Sequence, residues 1–221
     1  LKKERGLTGF SEKYWEENYS EASSMDGVGN VDQHVGYIKN FFGLEFIDVS
    51  TVIDFGFGLG HLFEAVMKEL VPYRAYGIEP SQYAFQKVKK RDITPVESTS
   101  LTLKPLDLVS WAESQKPKSR WFDLGICTSV FQYLSKEEIE FILPVMAQKV
   151  KYLYFSVPTD KELERQVEEL EFCDQYAYKR SRATYQRLIR KHFTFVSARV
   201  LESKFHFKED NTALTDLLFR F

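Results

Sequence analysis

Along most of the chain, short apolar runs alternate with segments in which apolar residues recur every third or fourth position. The run "STVIDFG" (50–56) reads as a buried strand. "HLFEAVMKEL" (61–70) then puts Leu62, Phe63, Val66 and Leu70 on one helical face, with Pro72 as a stop. "RAYGIEP" (74–80) is a second strand closed by Pro80, and "SQYAFQKVKKR" (81–91) a helix that Ser81 can cap. "DITPVES" (92–98) is read as a third strand. Residues 99–120 are mixed, with "LDLVSWAES" helix-like and "QKPKSR" loop-like. "WFDLGIC" (121–127) is the fourth strand. "SKEEIEFILPVMAQK" (135–149) opens with Ser135 and Glu138 in capping-box spacing, and Pro144 is predicted to kink or shorten it. "VKYLYFSVP" (150–158) is apolar almost throughout, as a central parallel strand should be. Residues 160–192 read as two helical stretches. "FTFVSARVLES" (193–203) and "TDLLFRF" (215–221) read as two final strands.

This alternation predicts an α/β fold, a mostly parallel sheet covered by helices on both faces. The first fifty residues are helix- and loop-rich and hold "KYWEENY" (13–19), "MDGVGN" (25–30) and "VDQHVGYIKNFF" (31–42). Residues 1–44 are read as a helical cap over the site, within the same domain as 45–221. At 221 residues one domain is expected.

Composition narrows the function classes. Hydrophobic residues are 43% and charged residues 28%, values of a soluble globular chain. No apolar run approaches the roughly 18 residues of a membrane span. A net charge of −2 gives no broad basic surface, so no nucleic acid partner is expected. Cys127 and Cys173 match no metal spacing and read as free thiols of a reducing, cytoplasmic setting; no metal is expected. The chain opens on Leu1, not on methionine, which points to a trimmed N-terminus.

The informative stretch is "VIDFGFGLGHLFEAV" (52–66). Gly56, Gly58 and Gly60 alternate between a strand and a helix, at the carboxyl end where open α/β sheets bind ligands. A Cβ there would block a ribose or a small zwitterion, and the helix start favours a carboxylate. Dinucleotide sites use G-x-G-x-x-G; here His61 stands where the last glycine belongs, which weakens a pyrophosphate reading. Glu79, ending the second strand, suits two charge-assisted bonds from ribose hydroxyls. Sites for NAD and for S-adenosylmethionine both want this acid, so Glu79 does not choose between them.

"VIDFGFGLG" followed by "YGIEP", "FDLGICTSVFQYL" and "YFSVPT" resembles the class I S-adenosylmethionine-dependent methyltransferases over about residues 45–221. The resemblance implies a Rossmann-like three-layer sandwich with seven strands and an antiparallel 7-then-6 ending. It implies that Asp54, Gly56, Phe57, Gly58 and Gly60 hold the methionine end of S-adenosyl-L-methionine. Glu79, with Pro80 beside it, would hold the ribose. Ser98 and Thr99, with Glu97 as an acid nearby, would line the adenine. Cys127 and Thr128 to Val130 would sit beside the sulfonium. The Pro-Gly-Gly type turn of many relatives is replaced here by "QKVKY".

A catalytic base is optional in this chemistry, since alignment and water exclusion supply much of the rate. His34 and Tyr133 are the candidates, and each has an ordinary structural alternative: a histidine on a helix and a core aromatic. Cys127 lacks the preceding proline of cytosine-5 methyltransferases and reads as a buried thiol. The basic run "YKRSRATYQRLIRK" (178–191) reads as a solvated helix face before an anion site. "CTSVFQY" is not the Asn/Asp-Pro-Pro-aromatic run of DNA amino-methyltransferases. A small-molecule acceptor is expected first and a protein acceptor second. A catalytically silent interaction module and an NAD enzyme are the alternatives.

Overall fold

A computed structural model gives the structure of residues 12, 13, 15, 27–94, 98–117, 120–170 and 173–221. The described elements run α1 (Val31–Leu44), β1 (Thr51–Phe55), α2 (His61–Leu70), β2 (Arg74–Ile78), α3 (Gln82–Arg91), β3 (Ser100–Lys104), α4 (Leu108–Ser114) and β4 (Phe122–Thr128). A 3₁₀ turn (Phe131–Tyr133) leads to α5 (Lys136–Lys149), β5 (Val150–Ser156), α6 (Asp160–Leu170), α7 (Arg182–Ile189), β6 (Phe193–Phe195) and β7 (Val200–Ser203).

The strands form one seven-stranded sheet in the order β3-β2-β1-β4-β5-β7-β6. The first five are parallel; β7 runs antiparallel to both β5 and β6. Alternation along the strands supplies two apolar faces. Ile38 and Phe42 of α1, Phe63 and Val66 of α2, and Phe85 and Val88 of α3 cover the face that carries Val52, Ile126 and Tyr154. Trp111 of α4, Ile139 and Ile142 of α5, and Leu188 of α7 cover the other, against Ile53, Phe55 and Leu153. This is the expected three-layer sandwich, and α1 is a member of one layer.

Local chemistry explains the helix boundaries. Ser81 caps α3 through the Ala84 amide, and Ser135 and Glu138 close a reciprocal capping box on α5. α5 then runs unbroken through Pro144, so the predicted shortening does not occur; its long apolar face against the sheet outweighs the lost hydrogen bond.

Three strand expectations need correction. The third strand is 100–104, not 92–98. It is an edge strand with no fully buried side chain, so it lacks the apolar run that marks the inner strands. The segment 193–203 is not one strand but the β6–β7 hairpin, whose turn is closed by Ser197 Oγ accepting from the Val200 amide at 2.9 Å. No glycine, proline or asparagine announces it. Residues 215–221 form turns, although the Phe195 and Phe221 backbones exchange two hydrogen bonds.

Candidate functional site

The carboxyl ends of β1, β2, β4 and β5 meet at one edge of the sheet. After β1 the chain turns through Gly56, Gly58 and Gly60, with φ of 124°, 52° and 75°. Gly56 has a second reason to be glycine: a Cβ there would lie 2.7 Å from Val130 Cγ2, which follows β4. Gly60 is the N-cap of α2. Phe57 turns inward and packs on Phe63 and Phe85, so it can offer the crevice only its backbone.

Two carboxyls flank this turn. Glu79 is 5% exposed, and its oxygens accept from the Gly58 and Ser81 amides, each at 2.8 Å. Burial lifts its pKa to about 7, against the pull of those two amides. Asp54 is 4% exposed and accepts no hydrogen bond from the described residues. Burial first, then the charge of Glu79, raises its pKa well above its ordinary value. A partner bearing N–H or O–H donors would relieve both. Pro80 follows Glu79 at the crevice rim, half-buried.

Aromatic residues cover the turn. The Trp15 indole N–H donates to Ser81 Oγ at 2.8 Å, and its ring stands 3.5 Å from where a Gly58 Cβ would be. Trp15 clusters with Leu59, Tyr83, Ala84 and Tyr176. Tyr176 belongs to a strap, residues 173–181, that crosses toward the turn after β4. There Tyr133 donates its hydroxyl to Asp174 Oδ2 at 2.7 Å, and the Tyr178 amide donates to the Gln132 carbonyl at 2.7 Å. Arg180 donates to the carbonyls of Phe131 and Leu134 and stacks on Tyr178, so it clamps the strap and is not an open anion site. Elsewhere in the basic run Lys179, Arg182 and Arg187 are exposed.

Several sequence-predicted residues land elsewhere. Ser98 and Thr99 are a correction: they precede β3, and Thr99 Oγ1 donates to the Pro72 carbonyl at the amino end of the sheet. A five-residue strand, about 16 Å, separates them from the crevice. The chain beside Glu79 is instead the segment after Lys104, whose carbonyl accepts from the Glu79 amide at 3.1 Å. That segment ends in Asp107, which caps α4 through the Ser110 amide. Glu97 lies outside the described residues. Cys127 is fully buried among apolar side chains, and burial pushes its thiol pKa up, so no nucleophile is exposed there. Thr128 is half-buried, paired in register with Ser156.

His34 is 3% exposed, with Nδ1 2.7 Å from the Tyr154 hydroxyl. Asp54, Ile126 and Tyr154 are paired in register across β1, β4 and β5, so this pair stands level with Asp54, two strands away. Gln132, Tyr176 and Ser156 lie at this end of the sheet with no sequence signal that singles them out, whereas Trp15 falls in a segment whose aromatics read either as cover for the cofactor or as ordinary cap core. The aromatic-rich "KYWEENY" was the available signal for Trp15. Among the described residues no group of three metal-ligating side chains occurs, and no helix is long and apolar enough to cross a membrane.

No family model matches the chain, and no curated protein is found as a relative. Solved structures do match. The plantazolicin methyltransferase BpumL in complex with SAH aligns at a TM-score of 0.63 and 15% identity, over 85% of this chain and 73% of that one. Magnesium protoporphyrin IX methyltransferase (ChlM) from Synechocystis PCC 6803 with bound SAH aligns at 0.55 and 17%, over 89% and 93%. The putative methyltransferase in complex with the Haloferax volcanii Trm112 activator aligns at 0.54 and 18%, over 80% and 73%. The chain has the class I S-adenosylmethionine-dependent methyltransferase fold.

Proposed function

We propose that this protein is an S-adenosylmethionine-dependent methyltransferase acting on a small-molecule acceptor. The observation that carries the reading is the glycine turn flanked by two buried carboxyls, Asp54 and Glu79, at adjacent strand ends. Glu79 would take the ribose hydroxyls, since each carboxylate oxygen has a lone pair beyond the one its backbone donor uses. Asp54, with no hydrogen-bond donor of its own, would take the ammonium of the methionine end. Gly56 to Gly60 keep side chains out of the cofactor's path. Two structural neighbours were solved with SAH, which supports an S-adenosylmethionine-type ligand for this fold.

When bound, S-adenosylmethionine supplies a methyl group on sulfur, which passes to an acceptor lone pair while the C–S bonding pair returns to sulfur. The chain's part is alignment and exclusion of water. Trp15 and the strap roof the crevice, and Val130 on Gly56 sets its floor. His34 is not needed as a base at this site; its place against Tyr154 suits packing of α1 on β5. The roofed crevice favours a small acceptor over a protein, and the two free thiols fit a reducing compartment such as the cytoplasm.

Glu79→Ala tests the assignment. Its loss should weaken S-adenosylhomocysteine binding by about 1.5–3 kcal/mol, the worth of hydrogen bonds to a charged group. Unchanged affinity would remove Glu79 from the site.

A further inference from the structure

Two oxygens at the carboxyl end of the sheet are shielded from solvent and unpaired: Gln132 Oε1 and Ser156 Oγ. Proteins pair nine in ten or more of their buried polar groups, because an unpaired one costs stability. Tyr185 Oη on α7, Arg74 Nε at the amino end of β2 and Arg220 Nε near the C-terminus are also buried without a partner, but Gln132 and Ser156 lie on the segments that follow β4 and end β5, at the crevice end.

Neither residue is loosely placed. Gln132 lies in the 3₁₀ turn directly after β4 and is 4% exposed. Two residues earlier, Val130 rests on Gly56; one residue later, Tyr133 is bonded to Asp174 of the strap. The Gln132 carbonyl is itself held by the Tyr178 amide. Ser156 ends β5, and its carbonyl accepts from the Ser129 amide at 3.0 Å. The turn that carries Gln132 is therefore pinned between the glycine turn and the strap.

Resting on the methyltransferase reading, we propose that Gln132 and Ser156 select the acceptor, taking hydrogen bonds from an N–H or O–H of a small neutral or cationic molecule. An amide oxygen can only accept, and a serine hydroxyl can accept as readily as donate. Asp174 adds a carboxylate to the same region, with Tyr133 and Tyr176 beside it. Arg180 donates from each terminal nitrogen to a main-chain carbonyl, of Phe131 and Leu134, so it serves to hold the turn, and Lys179, the other cation of the strap, is exposed. Carboxylate and phosphate acceptors are disfavoured because their oxygens would face the acceptor-only Gln132 amide oxygen and the Asp174 carboxylate.

The test uses the full chain and three readouts. Gln132→Met removes the unpaired amide at similar volume, and Ser156→Ala removes the hydroxyl. If the oxygens are kept for a ligand, both variants should melt at or above the wild-type temperature and bind S-adenosylhomocysteine unchanged. Protein saturated with S-adenosylhomocysteine is then titrated with benzylamine and benzyl alcohol, and with benzoate and phenyl phosphate. The donor-bearing probes should bind at millimolar concentration and weaken at least tenfold in Gln132→Met. A lower melting temperature in Gln132→Met would mean the amide serves the fold, and would overturn the proposal. So would a preference for the anions, or no binding of the donor probes. Failure of S-adenosylhomocysteine to bind the wild type would instead strike the methyltransferase reading.

Discussion

Glu79→Gln probes the site with almost no change of shape. In the free protein both Glu79 oxygens accept backbone N–H bonds at 2.8 Å. Glutamine keeps one acceptor and turns an NH₂ toward the other amide. Two donors then face each other, at a cost of about 1–3 kcal/mol. The ribose loses charge-assisted bonds worth about 1.5–3 kcal/mol, roughly 10- to 150-fold in affinity. The pH dependence makes the test specific. Burial raises Glu79 from 4.5 to about 7. With that value about a tenth of the molecules are ionised at pH 6 and about nine-tenths at pH 8. If the ribose needs the carboxylate, wild-type affinity for S-adenosylhomocysteine should rise about tenfold between those pH values, and Glu79→Gln should lose this rise. The stability of the free protein moves the other way. A raised acid stabilises the fold fully below its unfolded value, near pH 4.5, and that contribution is lost as pH climbs through about 7. The shift corresponds to about 3 kcal/mol. Titration calorimetry at pH 6 and 8, with thermal melts of the free protein, reads both. A flat wild-type affinity across that range, or wild-type affinity in Glu79→Gln, would refute the reasoning.

Other outcomes follow from the same geometry. Gly58→Val places a β-branched residue at a φ of 52°, at a cost of about 1–2 kcal/mol, and should abolish S-adenosylhomocysteine binding while the circular dichroism of the fold persists. Trp15→Phe keeps the aromatic cover but loses the bond to Ser81; ligand should change tryptophan fluorescence in the wild type and not in this variant, since Trp111 is in the core and Trp121 precedes β4 at the opposite end. Arg220→Met removes the cation paired at 3.2 Å with Glu202, which is 1% exposed and keeps only the Thr212 hydroxyl as a donor among the described residues, and should cost about 3–5 kcal/mol by chemical denaturation; adding Glu202→Gln should recover part of it.

The parts of the site that were legible in the sequence are those in which a single residue type answers a backbone demand. Three glycines at positive φ, an acid ending β2 and a capping box on α5 are such cases. The inner strands announced themselves because burial on both faces forces continuous apolar runs. The edge strand β3 carries no such pressure, and the apolar "ITPV" just before it reads more strongly as a strand than its own "SLTLK". The same offset places the expected adenine contacts on Ser98 and Thr99, at the amino end of the sheet and away from the crevice. Gln132, Ser156 and the strap could not be read locally. Their meaning comes from Tyr133 meeting Asp174 across 41 residues and from Trp15 meeting Ser81 across 66, contacts that no sequence period encodes.

The most direct measurement is calorimetric titration of the purified protein with S-adenosylhomocysteine, with NAD as a parallel control. Micromolar, one-to-one binding of S-adenosylhomocysteine alone is expected from a glycine turn set between Asp54 and Glu79. Binding of NAD in its place, or of neither ligand by a folded sample, would contradict the assignment.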